Sequence, residues 1–224
     1  MGSLSKTQVD QLGDRLRKGK IAEGDFRLLD AYRGSFAEAY EEVVAIIRDT
    51  AELEPTGRPA KSTTSIIEKL HRETIRLSQM QDIAGCRLVV PSLLVQNQVV
   101  EQLKSVLAKA VVIDRRKRPS FGYRAVHIIA TAQNKPIEIQ VRTELQHAWA
   151  QMSEKLSDVV DPAVKYGGGD SVTQEILARF SKIIASFEDK ESVASAAELV
   201  DGLRQLLIYA IEKWTSNPKS GEGN

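Results

Sequence analysis

Glu138, Gln140 and Arg142 occupy every second position of the run IEIQVRT, and Tyr123, Ala125, His127 and Ile129 do the same in YRAVHII. Period-2 alternation puts each set on one face of a strand. The intervening positions, Val126, Ile128 and Ala130 and then Ile137, Ile139 and Val141, are apolar and form the opposite face. The polar link at Gln133-Asn134 closes the two runs into a hairpin. Any even-numbered loop there pairs Val126 with Val141, Ile128 with Ile139, His127 with Gln140 and Ala125 with Arg142. One face is then core. The other gathers a carboxylate, an amide, a guanidinium, an imidazole and a phenol beside the cationic run Arg115-Arg116-Lys117-Arg118. Such a face suits a phosphorylated ligand. Arg115 and Lys117 can meet its phosphates while Tyr123 stacks on a base, although a solvated loop and a core tyrosine satisfy the same local pattern.

Three further groups carry chemistry. Lys61, Ser65 and Lys69 are spaced by four after Arg58, so on a helix the three share one stripe. A cationic stripe at a helix start, with unpaired backbone N–H groups, suits polyphosphate; a plain solvated helix face has the same spacing. Asp82 immediately precedes an apolar run that contains Arg87. An acid there is a natural Mg²⁺ ligand beside phosphates and equally an ordinary turn residue. Glu138 sits between two isoleucines, where a carboxylate costs solvation unless it is paired, metal-bound or open to a cleft. It can complete an Mg²⁺ site with Asp82, take a proton from an attacking hydroxyl, or simply pair with Arg142 or Arg87.

The elements that must position these groups follow from periodicity. Residues 1–20 are polar and weakly patterned and read as a frayed helix. Apolar residues at helical spacing, Phe26, Leu29, Tyr32, Phe36, Tyr40, Val43, Val44 and Ile47, predict one long amphipathic helix over 25–51. The segment 54–59, with two prolines and a glycine, ends it. A second helix is expected from Thr63, capped by Ser62 or Thr63, with Ile66, Ile67, Leu70, Ile75 and Leu77 on its inner side. A strand after Asp82 stops at Pro91. A helix over 92–109, a strand over 111–114, the hairpin and a helix over 143–156 follow. Two amphipathic helices are expected at 172–187 and 191–213, the second with an apolar stripe of Leu199, Leu203, Leu206, Leu207 and Ile211, and then a disordered tail over 216–224. The pattern is α/β (α+β): a small mixed, largely antiparallel sheet flanked by helices. It implies a core over 53–160 with helical extensions over 1–52 and 161–224.

Composition narrows the classes. Apolar residues make up 42% of the 224 residues, enough for a core, and 31 basic against 30 acidic side chains leave no global field for nucleic acid or membrane. Local clustering must carry any electrostatic argument. The single Cys86 excludes an internal disulfide and suits a reducing cytoplasm; lying in CRLVV, it reads as a small buried hydrophobe. No apolar run approaches the ~18 residues of a membrane span. Three histidines without paired spacing do not build a metal centre.

The elements GRPAKSTTSIIEKL at 57–70, DIAGCRLVV at 82–90, GYRAVH at 122–127 and IEIQVRTELQHAWA at 137–150 resemble, in order, the synthetase domain of the RelA/SpoT alarmone enzymes, and more closely their stand-alone small forms. The resemblance implies a nucleotidyltransferase-like fold and an Mg²⁺-dependent pyrophosphokinase that moves the β,γ-pyrophosphate of ATP to the 3′-hydroxyl of GDP or GTP, releasing AMP. It implies that Arg58, Lys61, Ser65, Lys69 and Arg87 serve ATP, that Asp82 holds Mg²⁺, and that Glu138 is the second acid, as metal ligand or base. Tyr123 would stack on the acceptor guanine, with Arg115, Lys117, His127, Gln140 and Arg142 on acceptor phosphates and ribose. Two residues, Pro59 and Ala60, separate Arg58 from Lys61 where the family usually has one. The paired His-Asp motif of the family's hydrolase half does not occur, so synthetase activity alone is expected. Two other readings stand beside it: a small toxin that pyrophosphorylates the 3′ end of tRNA, and a nucleotide or RNA sensor without catalysis. The terminal helices could build a homo-oligomer or dock an antitoxin.

Overall fold

The computed structural model describes residues 4–107 and 109–189 together with Asp201, Gly202, Gln205 and Ile208. The predicted helix over 191–213, with its leucine stripe, and the tail over 216–224 lie outside the described residues, apart from those four positions. The chain divides into two units: Met1–Leu88 with Val99–Ile113 and His127–Gln140, and Val89–Gln98 with Asp114–Val126 and Val141–Asn224.

The first unit opens on three helices. Helix α1 (Lys6–Arg17) is well formed rather than frayed: Ser5 and Gln8 make a reciprocal capping box, and Val9, Leu12 and Leu16 are buried along one face. The long helix expected over 25–51 is two, α2 (Asp25–Gly34) and α3 (Ala37–Ala51). The break comes where the Ser35 hydroxyl donates to the Tyr32 carbonyl and Phe36 turns into the core, edge-on to Tyr32 with ring centroids 5.3 Å apart. Phe26, assigned to the apolar side, is 49% exposed. The buried position beside it belongs to Asp25, which accepts from both Nε and Nη2 of Arg15.

Strand β1 (Thr56–Arg58) precedes helix α4 (Thr63–Arg72), whose N-cap is Ser62. Ile66 and Leu70 face inward as predicted, but Ile75 and Leu77 lie beyond the helix. Arg17 takes the carbonyls of Leu70 (2.7 Å), Glu73 and Ile75, so the chain leaves helical geometry there. Strand β2 (Ala84–Val90), helix α5 (Leu93–Val106), and strands β3 (Val111–Asp114), β4 (Val126–Ala132) and β5 (Lys135–Thr143) follow. The five strands form one mostly antiparallel sheet in the order β1-β2-β5-β4-β3, most of it in the first unit.

The hairpin closes through the two residues anticipated, Gln133 (φ 48°) and Asn134 (φ 61°), both left-handed as a type I′ turn requires. Ile128, Ala130, Ile137 and Ile139 are buried, so the predicted core face is the real one. Cys86 is buried too; burial, then the charge of Glu138, pushes its thiol up to about 12.

In the second unit, Thr143 caps helix α6 (Glu144–Val159) in another capping box, with Gln146. Helix α7 (Ser171–Glu188) matches the expected 172–187 closely. Leu145, Trp149, Met152 and Leu156 of α6 pack with Val164, Leu177 and Ile184, and the Trp149 indole N–H donates to the Leu177 carbonyl at 2.9 Å. Gly122 passes this cluster at φ 89°, and a Cβ there would lie 2.7 Å from the Trp149 ring, so both conformation and space call for glycine.

Candidate active site

In the first unit Asp82 sits at the entry to β2, and both its oxygens are taken. Lys61 Nζ donates to Oδ2 at 2.6 Å and Lys69 Nζ to Oδ1 at 2.8 Å, with all three side chains less than a fifth exposed. Lys61 is not on the helical stripe expected of it: the helix starts at Thr63 behind the Ser62 cap. Its backbone N–H is instead pinned to the Ile83 carbonyl at 2.6 Å, which brings its ammonium to the acid that Lys69 reaches from the second turn of α4. Burial works to raise the Asp82 carboxyl, but the two ammonium groups outweigh it and hold it below the usual 3.8. Ser65 lies at the start of α4, its N–H and hydroxyl both bonded to the Ser62 hydroxyl.

Glu138 is the second ionised acid. Its Oε1 lies 2.9 Å from His127 Nδ1 and its Oε2 accepts from Gln140 Nε2 at 2.7 Å. Burial would raise its carboxyl; the bonds from His127 and Gln140 more than offset this, against a small upward push from the charge of Asp82. Because an ionised carboxylate only accepts, His127 Nδ1 carries the proton in this contact. His127, Glu138 and Gln140 thus meet on one face of the hairpin, as the alternation predicted.

Gly85 extends that face. It pairs with Arg58 across β1 and β2, and a Cβ built on it would stand 2.6 Å from the Glu138 carbonyl oxygen and 3.3 Å from the Glu138 Cβ. Opposed residues in an antiparallel pair share a face, so Arg58 (with Gly85) and Arg87 (with Thr56) belong to the side of the sheet that carries Glu138. Arg58 is exposed at the end of β1, and Arg87 is half-buried. Two residues between Arg58 and Lys61 let the first end the strand and the second turn toward Asp82.

In the second unit Tyr123 and Arg142 come together. The Arg142 guanidinium lies 5.0 Å from the Tyr123 ring centroid, and its Nη2 donates to the phenol oxygen at 2.9 Å. Arg142 is only 4% exposed, and Tyr123 packs partly against the Leu145–Trp149 cluster. The basic run divides. Arg116 forks onto Asp114, with Nε and Nη2 at 2.9 Å from its two oxygens, whereas the side chains of Arg115, Lys117 and Arg118 are exposed.

Some contributors carry no signal in the sequence. Arg33 of α2 donates to the Lys61 carbonyl at 2.6 Å and to the Thr63 hydroxyl, bracing the loop that presents Lys61. Gln96 and Gln146, both buried, form a polar chain with the partly buried Glu188 in the second unit. Only the Thr143-x-x-Gln146 capping box could have pointed to it.

Among the described residues, no cluster of three or more His, Cys, Asp or Glu could hold a metal by itself. Two ionised carboxylates, Asp82 and Glu138, close enough for one charge to act on the other, are nevertheless the donor set Mg²⁺ accepts when phosphate oxygens and water complete its shell. The residues fit the ion. No helix among the described residues is long and apolar enough to cross a membrane.

Residues 57–157 match the family profile described as "Region found in RelA / SpoT proteins". Curated relatives include the uncharacterized proteins Mb1401 of Mycobacterium bovis and Rv1366 of Mycobacterium tuberculosis, each 33% identical over 134 residues, which are 58% of this chain and 49% of the relative. The chain therefore spans about half the length of the curated relatives it matches. Among solved structures, small alarmone synthetase 1 from Bacillus subtilis superposes with a TM-score of 0.58 at 23% identity, covering 77% of this chain and 98% of that one. A GTP pyrophosphokinase family protein from Streptococcus pneumoniae does so with a TM-score of 0.56, also at 23% identity, over 84% and 98%. The strand order and the match over 57–157 agree: residues 57–157 carry the region found in RelA/SpoT proteins, and the chain has the fold of the small alarmone synthetases.

Proposed function

We propose that the chain is an ATP-dependent pyrophosphokinase that transfers the β,γ-pyrophosphate of ATP to the 3′-hydroxyl of GDP or GTP, making (p)ppGpp and releasing AMP. The observation that carries this reading is the pair of ionised acids, Asp82 between Lys61 and Lys69 and Glu138 between His127 and Gln140. A nucleotide binder has little use for two carboxylates beside phosphates; a phosphoryl-transfer enzyme does. One of the structures on the same fold, small alarmone synthetase 1 from Bacillus subtilis, is bound to its product pppGpp, and another structure of it is bound to AMPCPP.

In this reading Lys61, Lys69, Ser65, Arg58 and Arg87 hold the triphosphate of ATP. On ATP entry the two lysines would exchange part of their bond to Asp82 for phosphate oxygens, and Asp82 with Glu138 would hold Mg²⁺. That ion, when bound, supplies charge neutralisation at the phosphates. Glu138 takes the proton of the acceptor 3′-hydroxyl, and His127 and Gln140 keep its carboxylate ionised and aimed. The 3′-oxygen bonds to the β-phosphorus while the bond from that phosphorus to the α,β-bridging oxygen breaks, and AMP leaves. Tyr123 stacks on the guanine, and Arg115, Lys117 and Arg142 serve acceptor phosphates and ribose. Catalysis rests on positioning and charge neutralisation.

The test is label transfer. γ-labelled ATP and Mg²⁺ are incubated with the purified chain and GDP, GTP or deacylated tRNA. Label in (p)ppGpp is the expected result. The exposed cations Arg115, Lys117 and Arg118 favour the tRNA 3′ end as the second acceptor to try. Label on tRNA alone replaces the acceptor, and nucleotide binding without transfer to any of the three leaves a sensor.

A further inference from the structure

Within the second unit, a line of short hydrogen bonds runs from the basic loop to the end of α7, with one longer reverse contact from Gln146 Nε2 to Gln96 Oε1 at 3.5 Å. Arg116 Nη1 donates to Gln96 Oε1 at 3.0 Å, Gln96 Nε2 donates to Gln146 Oε1 at 2.9 Å, and Gln146 Nε2 donates to Glu188 Oε1 at 3.0 Å. Glu188 also accepts from the Thr143 hydroxyl. Gln96, Gln146 and Thr143 are all at most 2% exposed, so water has little access to the middle of the line, while Arg116 and Glu188 at its ends are partly buried.

The two ends dictate the direction. A guanidinium can only donate and an ionised carboxylate can only accept, so both amides between them are forced into the orientation observed. The line has side branches at functional positions. Gln96 Nε2 also donates to the Val141 carbonyl at 2.7 Å, immediately before Arg142, and Arg116 grips Asp114 at the base of the exposed cations.

We propose that Glu188 is the positioning residue of the acceptor-binding elements: by terminating this line it fixes Arg116, and with it the loop that presents Arg115 and Lys117, and the strand end that carries Arg142. The acceptor role rests on the function proposed above; the mechanical role does not.

Hydrogen–deuterium exchange across 114–118 in the full chain decides the mechanical claim. Glu188→Ala removes the close acceptors of the Gln146 amide and leaves it only the 3.5 Å contact to Gln96 Oε1, and exchange across 114–118 should rise about tenfold while 61–69 stays unchanged. Glu188→Gln still offers an acceptor oxygen, so its rise should stay within about threefold. The double variant Gln146→Glu with Glu188→Gln moves the anion one link along and keeps every donor facing an acceptor, so exchange should return to the native rate. In steady-state transfer, Glu188→Ala should raise the acceptor KM by about tenfold, with kcat and the ATP KM within about twofold of native. Native exchange at 114–118 in Glu188→Ala, or fast exchange in the double variant, overturns the relay. A loosened loop with an unchanged acceptor KM overturns the positioning role. Absence of any transfer by the native chain defeats the proposed function instead, and the exchange data still judge the relay.

Discussion

His127 Nδ1 lies 2.9 Å from Glu138 Oε1, tying the two strands of the hairpin together through an acid whose carboxyl burial works to raise. With Gln140 on the other oxygen, Glu138 has the partners it needs to stay charged in a site only 16% exposed. This contact turns a costly residue into a usable one, and the first prediction follows from it. Glu138→Gln keeps the shape and removes the charge. Transfer should fall about a thousandfold, while nucleotide binding measured by calorimetry changes by no more than about threefold. Unchanged turnover would remove Glu138 from the mechanism.

His127→Ala should act through the same acid. Without the imidazole the Glu138 carboxyl loses its largest stabilising partner and titrates higher. The acidic limb of the pH–rate profile should then move to higher pH, whereas an imidazole that served only the acceptor would change KM and leave the profile in place.

Acid stability of the metal-free protein should show opposing contributions. Asp82 and Glu138 are held below their usual values of 3.8 and 4.5, so the stability each contributes is complete above those values and is lost as pH falls through the lower folded-state values. Glu188 runs the other way: burial, only partly offset by bonds from Thr143 and Gln146, raises its carboxyl. Its folded form binds the proton more tightly than the unfolded chain does, so protonation adds stability as pH falls toward 4.5. Denaturant midpoints taken from pH 7 downward should therefore fall less steeply for Asp82→Asn than for the native chain. For Glu188→Gln they should fall more steeply above pH 4.5.

Gly85→Ala tests the close approach of β2 to β5. The added methyl would stand 2.6 Å from the Glu138 backbone oxygen, which is not a flexible group and can yield only by moving the strand. A loss of about 1–3 kcal/mol in chemical denaturation is expected, together with a fall in kcat, because the displaced backbone is that of Glu138 itself.

Tyr123→Phe separates ring from hydroxyl. It deletes the 2.9 Å bond from Arg142 and keeps the ring under the guanidinium. If the ring carries the acceptor base, the acceptor KM should rise by about threefold or less, against tenfold or more for Tyr123→Ala. Steady-state kinetics with varied acceptor distinguishes the two.

The hairpin shows what local sequence decides. Alternation along the two runs, with a polar dipeptide between, sufficed for the core face and the grouping of His127, Glu138 and Gln140, because side-chain direction in a strand is a property of neighbouring residues. The limits differ, since β4 begins at Val126, after Tyr123 and Ala125, and β5 begins at Lys135. The cap at Ser62 was legible from neighbouring residues for the same reason. The break at Ser35 was not: the apolar period runs on through it, and the helix ends because Phe36 finds its place against Tyr32. Asp82 was legible as an acid at a strand start, yet nothing in 61–82 states that two lysines, 21 and 13 residues earlier, meet on its two oxygens. Arg33 and Glu188 were wholly silent, since their partners lie 28 and more than 40 residues away. Sequence by itself determined the elements, their buried faces and the chemical types on the exposed face, all set by contacts within a turn or a strand pair. Only the tertiary structure decided which charges neutralise one another, because that depends on chain segments brought together by burial rather than by spacing.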